Sequence, residues 1–140
     1  MRPWLFVTES EPVNVTGVST IPYAADVLDP SESLLQLTDV SKVLGVPISR
    51  VEQMLRDRHL IAVKRSRVPG VPEVFLDTEG GNVVKGLPGL LAVLHDGGYQ
   101  DDEILRWLFE SDDSLPGRPV DAMHGHLMRE VIRRAQAMAF

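Results

Sequence analysis

An α+β fold, mainly helical, is predicted for this 140-residue chain by three observations. Two short amphipathic segments flank a Leu-Gly-Val-Pro turn at residues 44–47. Apolar, strand-like runs follow, the first ending in a basic tip. From Leu87 onward the apolar residues fall at helical spacing. The length suits one compact domain or two very small ones, and a chain this size buries roughly 68% of its unfolded surface. With 44% apolar and 24% charged residues, the composition is that of an ordinary globular domain.

The elements are expected in this order. Thr38 caps a short helix whose apolar positions Val40, Val43 and Leu44 share a face. Gly45 follows where a helix end needs a left-handed residue, and Pro47 suits the entry to the next helix. There Ile48, Val51, Met54 and Leu55 form an apolar stripe. At about 100° per residue, Ser49, Gln53 and Arg56 point the opposite way, with Arg50 and Asp57 beside them. Two short helices around such a turn form a helix-turn-helix. Residues 60–65 read as a strand leading to a basic tip, residues 66–72 as a Pro/Gly turn or flexible loop, and residues 74–76 as the returning strand. Gly80-Gly81 marks another turn, after which residues 82–85 supply a third strand. A hairpin placed directly after a helix-turn-helix is a wing.

Farther on, Leu87, Leu90, Leu91 and Leu94 line one helix face, and Gly97-Gly98 stops it. Asp101, Asp102 and Glu103 place negative charge at the start of a helix carrying Ile104, Leu105, Trp107 and Leu108. Residues 111–119 read as a loop. A last helix from about Val120 is expected to bury Met123, Leu127, Val131, Ala135 and Met138, with Arg129, Arg133 and Arg134 outside and Glu130 pairing with Arg134. This divides the chain into a flexible N-terminal arm (1–33), a winged helix-turn-helix (34–86) and a helical region packed on it (87–140).

Charge is strongly segregated. The net charge is −6, yet residues 42–67 hold seven basic and two acidic residues, a local +5 between flanks of −5 and −8. Such an island suits an anion. Ser49, Arg50, Gln53 and Arg56 are placed for base edges or groove walls, and Lys64, Arg65 and Arg67 for phosphates or the minor groove. Lys42 on the first helix joins this set. With no cysteine, thiolate zinc sites, disulfides and cysteine nucleophiles are excluded. His95, His124 and His126, even with Asp96 or Glu103, match no zinc spacing. No nucleophile elbow or nucleotide-binding glycine loop is present, so neither catalysis nor a cofactor is expected. No apolar run approaches the ~20 residues of a membrane span, and the start lacks a signal-peptide core. A cytoplasmic, nucleoid-associated protein is expected. The arm carries Thr8, Ser10, Thr16, Ser19 and Thr20, with Thr8 singled out as a Ser/Thr kinase site.

The stretch LTDVSKVLGVPISRVEQMLRDRHLIAVKR resembles excisionase and MerR-like winged helix-turn-helix proteins. Together with VPEVF, VVKGLPGLLAVLHDGGYQDDEILRWLF, RPVDAMHGH and REVIRRAQAMAF, it resembles a small actinobacterial, mycobacterial-type family of winged helix-turn-helix DNA-binding proteins over residues 35–140. The resemblance implies duplex DNA as partner, and a second copy of the chain would double the phosphate contacts. Pro47 departs from the usual Ser or Thr cap. The RWL, SLPGRPVDAM and REVIRRA segments are similar to the toxin-binding domain of a class of bacterial antitoxins. That second likeness implies a protein partner gripped through Trp107 and the 115–121 loop.

Overall fold

The computed structural model describes residues 20–140. Strand β1 (Leu34–Leu35) leads into helix α1 (Leu37–Leu44) and then α2 (Ile48–Arg56). Strands β2 (Val63–Arg65) and β3 (Val68–Pro72) follow, then a 3-10 turn at Glu73–Phe75 and the short strands β4 (Leu76–Asp77) and β5 (Asn82–Val83). The helical half comprises α3 (Leu87–Asp96), α4 (Asp101–Phe109), α5 (Pro119–Ala122) and α6 (Met128–Ala139). The main sheet is antiparallel in the order β1-β3-β2.

Each helix end near the turn has a local cause. Leu35 is paired with Val71, so only Gln36 remains to cap α1. Thr38, the expected cap, therefore lies inside the first turn. At the other end Gly45 adopts φ 66°, while Val46 N–H bonds to Ser41 O and Gly45 N–H to Lys42 O. This is the Schellman closure, and a residue without Cβ adopts it most readily. The Ser41 hydroxyl donates to Val46 O, bracing the same turn. Helix α2 closes in the same way, with His59 N–H on Met54 O and Arg58 N–H on Leu55 O. Here the left-handed position is held by Arg58 at φ 61°. Its guanidinium reaches both oxygens of Asp101 at 2.9 and 3.0 Å, so the strained residue is tied to the start of α4.

The wing differs from expectation. Residues 66–72 are not a loop: only Ser66 and Arg67 turn, with φ 52° and 67°, and β3 begins at Val68. Both central residues in the left-handed region make the tight turn favoured by hairpin twist. Prolines 69 and 72 are tolerated because each level of β3 is paired on one side only, Pro69 with Lys64 and Pro72 with Leu34. Gly70 lets β1 come close, since a Cβ there would lie 2.9 Å from Leu34 Cβ. The expected returning strand at residues 74–76 and third strand at 82–85 instead contribute to a separate hairpin, β4-β5. The 3-10 turn at Glu73–Phe75 has by then redirected the chain.

The part of the expected arm that is described, residues 20–33, lies against the body. Ala24 N–H bonds to Ala62 O at 2.8 Å and bridges Val63 in parallel, and Leu28 is buried. Ile21, Tyr23 and Val27 pack on the core.

In the helical half, Leu87, Leu90, Leu91 and Leu94 are all buried, as their spacing requires. The carboxylate of Glu103 accepts the Gln100 N–H at the start of α4. The single last helix expected from Val120 is two helices, because the chain turns through residues 123–127 around Gly125. Several contacts join the halves. Phe75 meets Phe109 at 5.7 Å between ring centres, and His124 Nε2 lies 2.6 Å from Val74 O. Arg118 binds Asp121 and Glu32 while lying over the Phe109 ring. One buried cluster runs from Leu28 to Ala135.

His95 stands beside the Arg58–Asp101 pair. Its Nε2 is shielded and lies 3.0 Å from Asp101 Oδ1 without hydrogen-bond alignment. Burial outweighs the attraction of Asp101 and holds the imidazole below its usual 6.5. Between that lowered value and 6.5 the unfolded chain binds more protons, so stability rises with pH through this window and is fully present above it. The melting-temperature gap between wild type and His95→Gln should therefore narrow as pH falls from about 7.5 to 5. A gap that stays constant would contradict this account.

Candidate nucleic-acid interface

Helix α2 buries Val51 and Leu55 and half-buries Met54, which leaves Ser49, Arg50 and Gln53 exposed on its outer side. Ile48, expected in the apolar stripe, is 42% exposed because it sits at the helix start with no element above it. Gln53 donates through Nε2 to Asp57 Oδ1 at 2.9 Å, and its Oε1 lies 3.5 Å from an Arg56 nitrogen. Arg56 is half-buried at the border of the outer face. Lys42 projects from α1 and is exposed.

The wing sorts its basic residues by strand alternation, since neighbouring side chains on a strand face opposite sides. Val63 is buried, Lys64 is exposed and Arg65 turns beneath the wing. Lys64 Nζ stands 4.8 Å from the centre of the Tyr23 ring. Arg67, at the hairpin tip, is exposed.

Arg65 corrects the sequence reading most sharply. Its Nε binds Asp26, one Nη binds the carbonyls of Pro30 and Glu32, and the other binds Asp26 and the carbonyl of Asp29. A guanidinium has five N–H donors, and all five are engaged. The same contacts hold the Asp26 carboxyl below its ordinary range and push Arg65 upward. Arg65 thus fastens residues 26–32 to the wing and presents no donor to an outside ligand.

Among the described residues the cations differ in their ion pairing. Arg58, Arg65, Arg106, Arg118, Arg133 and Arg134 all enter ion pairs, the last through Glu130 as expected. Lys42, Arg50, Lys64 and Arg67 in the helix-turn-helix and wing enter none among the described residues, and neither do Lys85 and Arg129 outside it. The segments similar to antitoxins are engaged internally. Trp107 packs against the core, Leu115 and Val120 are buried, and Arg118 bridges Glu32 and Asp121. No group of three or more His, Asp or Glu able to hold a metal occurs among the described residues. No helix there is long and apolar enough to cross a membrane. Thr8 lies outside the described residues.

Ile21-Pro22-Tyr23 reads from the sequence as a short docked piece of the arm, but Tyr23 is not placed at the site because its segment lacks periodicity. The available signal was Ile21-Pro22-Tyr23, a short apolar piece ahead of the acidic run Asp26 to Glu32.

Comparison with known proteins agrees with this fold. A family model described as DNA-binding protein Rv2175c, wHTH domain, matches residues 20–76, and one described as Rv2175c C-terminal domain of unknown function matches residues 84–139. A relative from Mycobacterium tuberculosis (strain ATCC 25618 / H37Rv), named DNA-binding protein Rv2175c, is 53% identical, with 88% of this chain and 92% of that protein covered. The NMR structure of Rv2175c superposes with a TM-score of 0.77 at 49% identity, covering 93% of this chain and 100% of that one. With its winged helix-turn-helix and its C-terminal helices both matched, the chain belongs to the Rv2175c family.

Proposed function

We propose that this protein binds duplex DNA without catalysis and acts in the cytoplasm as a transcriptional regulator. Helix α2 enters the major groove with Ser49, Arg50 and Gln53 toward base edges, while Lys42, Lys64 and Arg67 meet backbone phosphates. The observation that carries this reading is the group of exposed cations without carboxylate partners on the helix-turn-helix and wing. In a chain of net charge −6, the cations left without carboxylate partners among the described residues include four on the helix-turn-helix and wing. The name of the 53%-identical relative points the same way.

The test is fluorescence anisotropy of a labelled duplex titrated with protein at several salt concentrations. Each lost phosphate contact removes about 0.9 from the slope of log K against log salt. Arg67→Ala should weaken binding and flatten the slope by about that much, and Arg50→Ala should lose about 1–3 kcal/mol and relax sequence preference. Arg65→Ala should instead lower the melting temperature, by about 1–2 kcal/mol of stability given its partial exposure. An unchanged melting temperature for Arg65→Ala, or an unchanged slope for Arg67→Ala, would reverse these assignments. The stoichiometry of the same titration tells one copy per duplex from two. Failure to bind at low salt, with capture of a partner protein through the helical half, would favour the antitoxin-like reading.

Regulation by a Ser/Thr kinase at Thr8 is part of the proposal. A phosphate there adds about −1.5 to −2 charge to an already acidic, hydroxyl-rich segment and competes with DNA for the basic face. Kinase treatment should add one phosphate mass to residues 1–19 and weaken DNA binding; Thr8→Ala should block both. An unmodified segment, or unchanged affinity after modification, would remove this element.

A further inference from the structure

We propose that Tyr23, supplied by the segment preceding the helix-turn-helix, is a positioning residue that holds Lys64 toward a DNA phosphate. The inference rests on the DNA-binding reading above and deepens it by adding a side chain from outside the helix-turn-helix and wing.

The geometry begins with the backbone. Ala24 bridges Val63 in parallel, and its N–H bonds to Ala62 O at 2.8 Å, so residues 23 and 24 run along the free edge of β2. This edge attachment is secured farther along by Arg65, whose guanidinium binds Asp26, Asp29, Pro30 and Glu32. Tyr23 thereby stands in a fixed, half-buried position beside the wing. Lys64 Nζ lies over its ring at 4.8 Å from the centre, within the reach of a cation–π contact. Glu52 and Arg56 of α2 are near enough to influence the phenol electrostatically in opposite senses. Tyr23 thus neighbours both the wing, through Lys64, and the recognition helix. Burial and Glu52 both raise its hydroxyl above the usual value, keeping the phenol neutral in any physiological buffer.

Why a ring is useful here follows from the lysine. A Lys ammonium is a compact charge on a flexible four-carbon stem, and ordering it at a phosphate loses rotamer freedom. The ring face pre-orders the stem while accepting charge on one side only, so the ammonium keeps donors toward solvent, where Lys64 is exposed. A carboxylate in the same place would neutralise Lys64 and defeat its use. The neutral aromatic orders the cation and leaves its charge available.

The full-length chain tests this with Tyr23→Phe, Tyr23→Leu, Lys64→Ala and the Tyr23→Leu, Lys64→Ala double variant. In the free wild-type protein, the Lys64 ε-methylene protons should resonate upfield of their random-coil position through the ring current. Tyr23→Phe should keep that shift and wild-type DNA affinity. Tyr23→Leu should lose the shift, weaken affinity by about two- to fivefold and flatten the salt slope by up to about 0.9. Combining Tyr23→Leu with Lys64→Ala should add little to Lys64→Ala alone. Random-coil Lys64 shifts in the wild type would overturn the proposal before any variant is made. So would Tyr23→Leu matching the wild type in affinity and slope, or strictly additive losses; in either case wild-type binding leaves the DNA reading standing. Wild type that fails to bind the duplex at low salt overturns both.

Discussion

The guanidinium of Arg65 is the interaction on which the arrangement of the N-terminal half depends. Its five donors reach one carboxylate and three carbonyls spread over residues 26–32. Residues 20–33 have no regular structure beyond a single bridge. Burial of Leu28 and partial burial of Ile21, Tyr23 and Val27 would order them weakly by themselves. The planar fork supplies direction as well as energy, because carbonyls must point at it from fixed places. Lysine, with three donors around one point, could not satisfy the same set.

Much of the architecture was legible because period and punctuation agreed. The helix-turn-helix follows from Val40, Val51 and Leu55 at core spacing and from Gly45 between them, and the four leucines of α3 are buried together. Three features were not legible, each for a physical reason. Pro69, Gly70 and Pro72 read as a loop because those residues usually break strands, whereas β3 accepts them by pairing on one side at each level. The start of α1 was placed at Thr38 by cap preference, but the pairing of Leu35 in β1 decided it for Gln36. Arg65 was counted with Lys64 as a contact residue because both are basic and adjacent in sequence. Strand alternation alone would have separated them, although the acidic residues and carbonyls receiving Arg65 lie more than 30 positions away.

The candidate interface is therefore smaller than its composition suggests and better ordered. Of the basic residues between 42 and 67, Arg58 and Arg65 are structural: one closes α2 against α4 and the other binds the preceding segment to the wing. The tip pays a conformational penalty, since Ser66 and Arg67 both adopt left-handed backbone at roughly 1–2 kcal/mol each. In return the turn is short, and the exposed Arg67 sits on a hairpin with no slack.

The Phe75–Phe109 contact has a bearing on how the molecule comes apart. Phe75 belongs to the segment matched by the winged-helix family model, while Phe109 belongs to the segment matched by the C-terminal one. Their rings meet in the same buried cluster that Leu60, Leu91 and Val131 share. Arg58 to Asp101 and Arg118 to Glu32 cross the same seam near the surface. A boundary drawn through residues 77–83 by descent thus falls where the polypeptide is continuous in its packing. Separating the two pieces would leave each with a raw apolar face. The two segments matched by separate family models should accordingly unfold together as one unit.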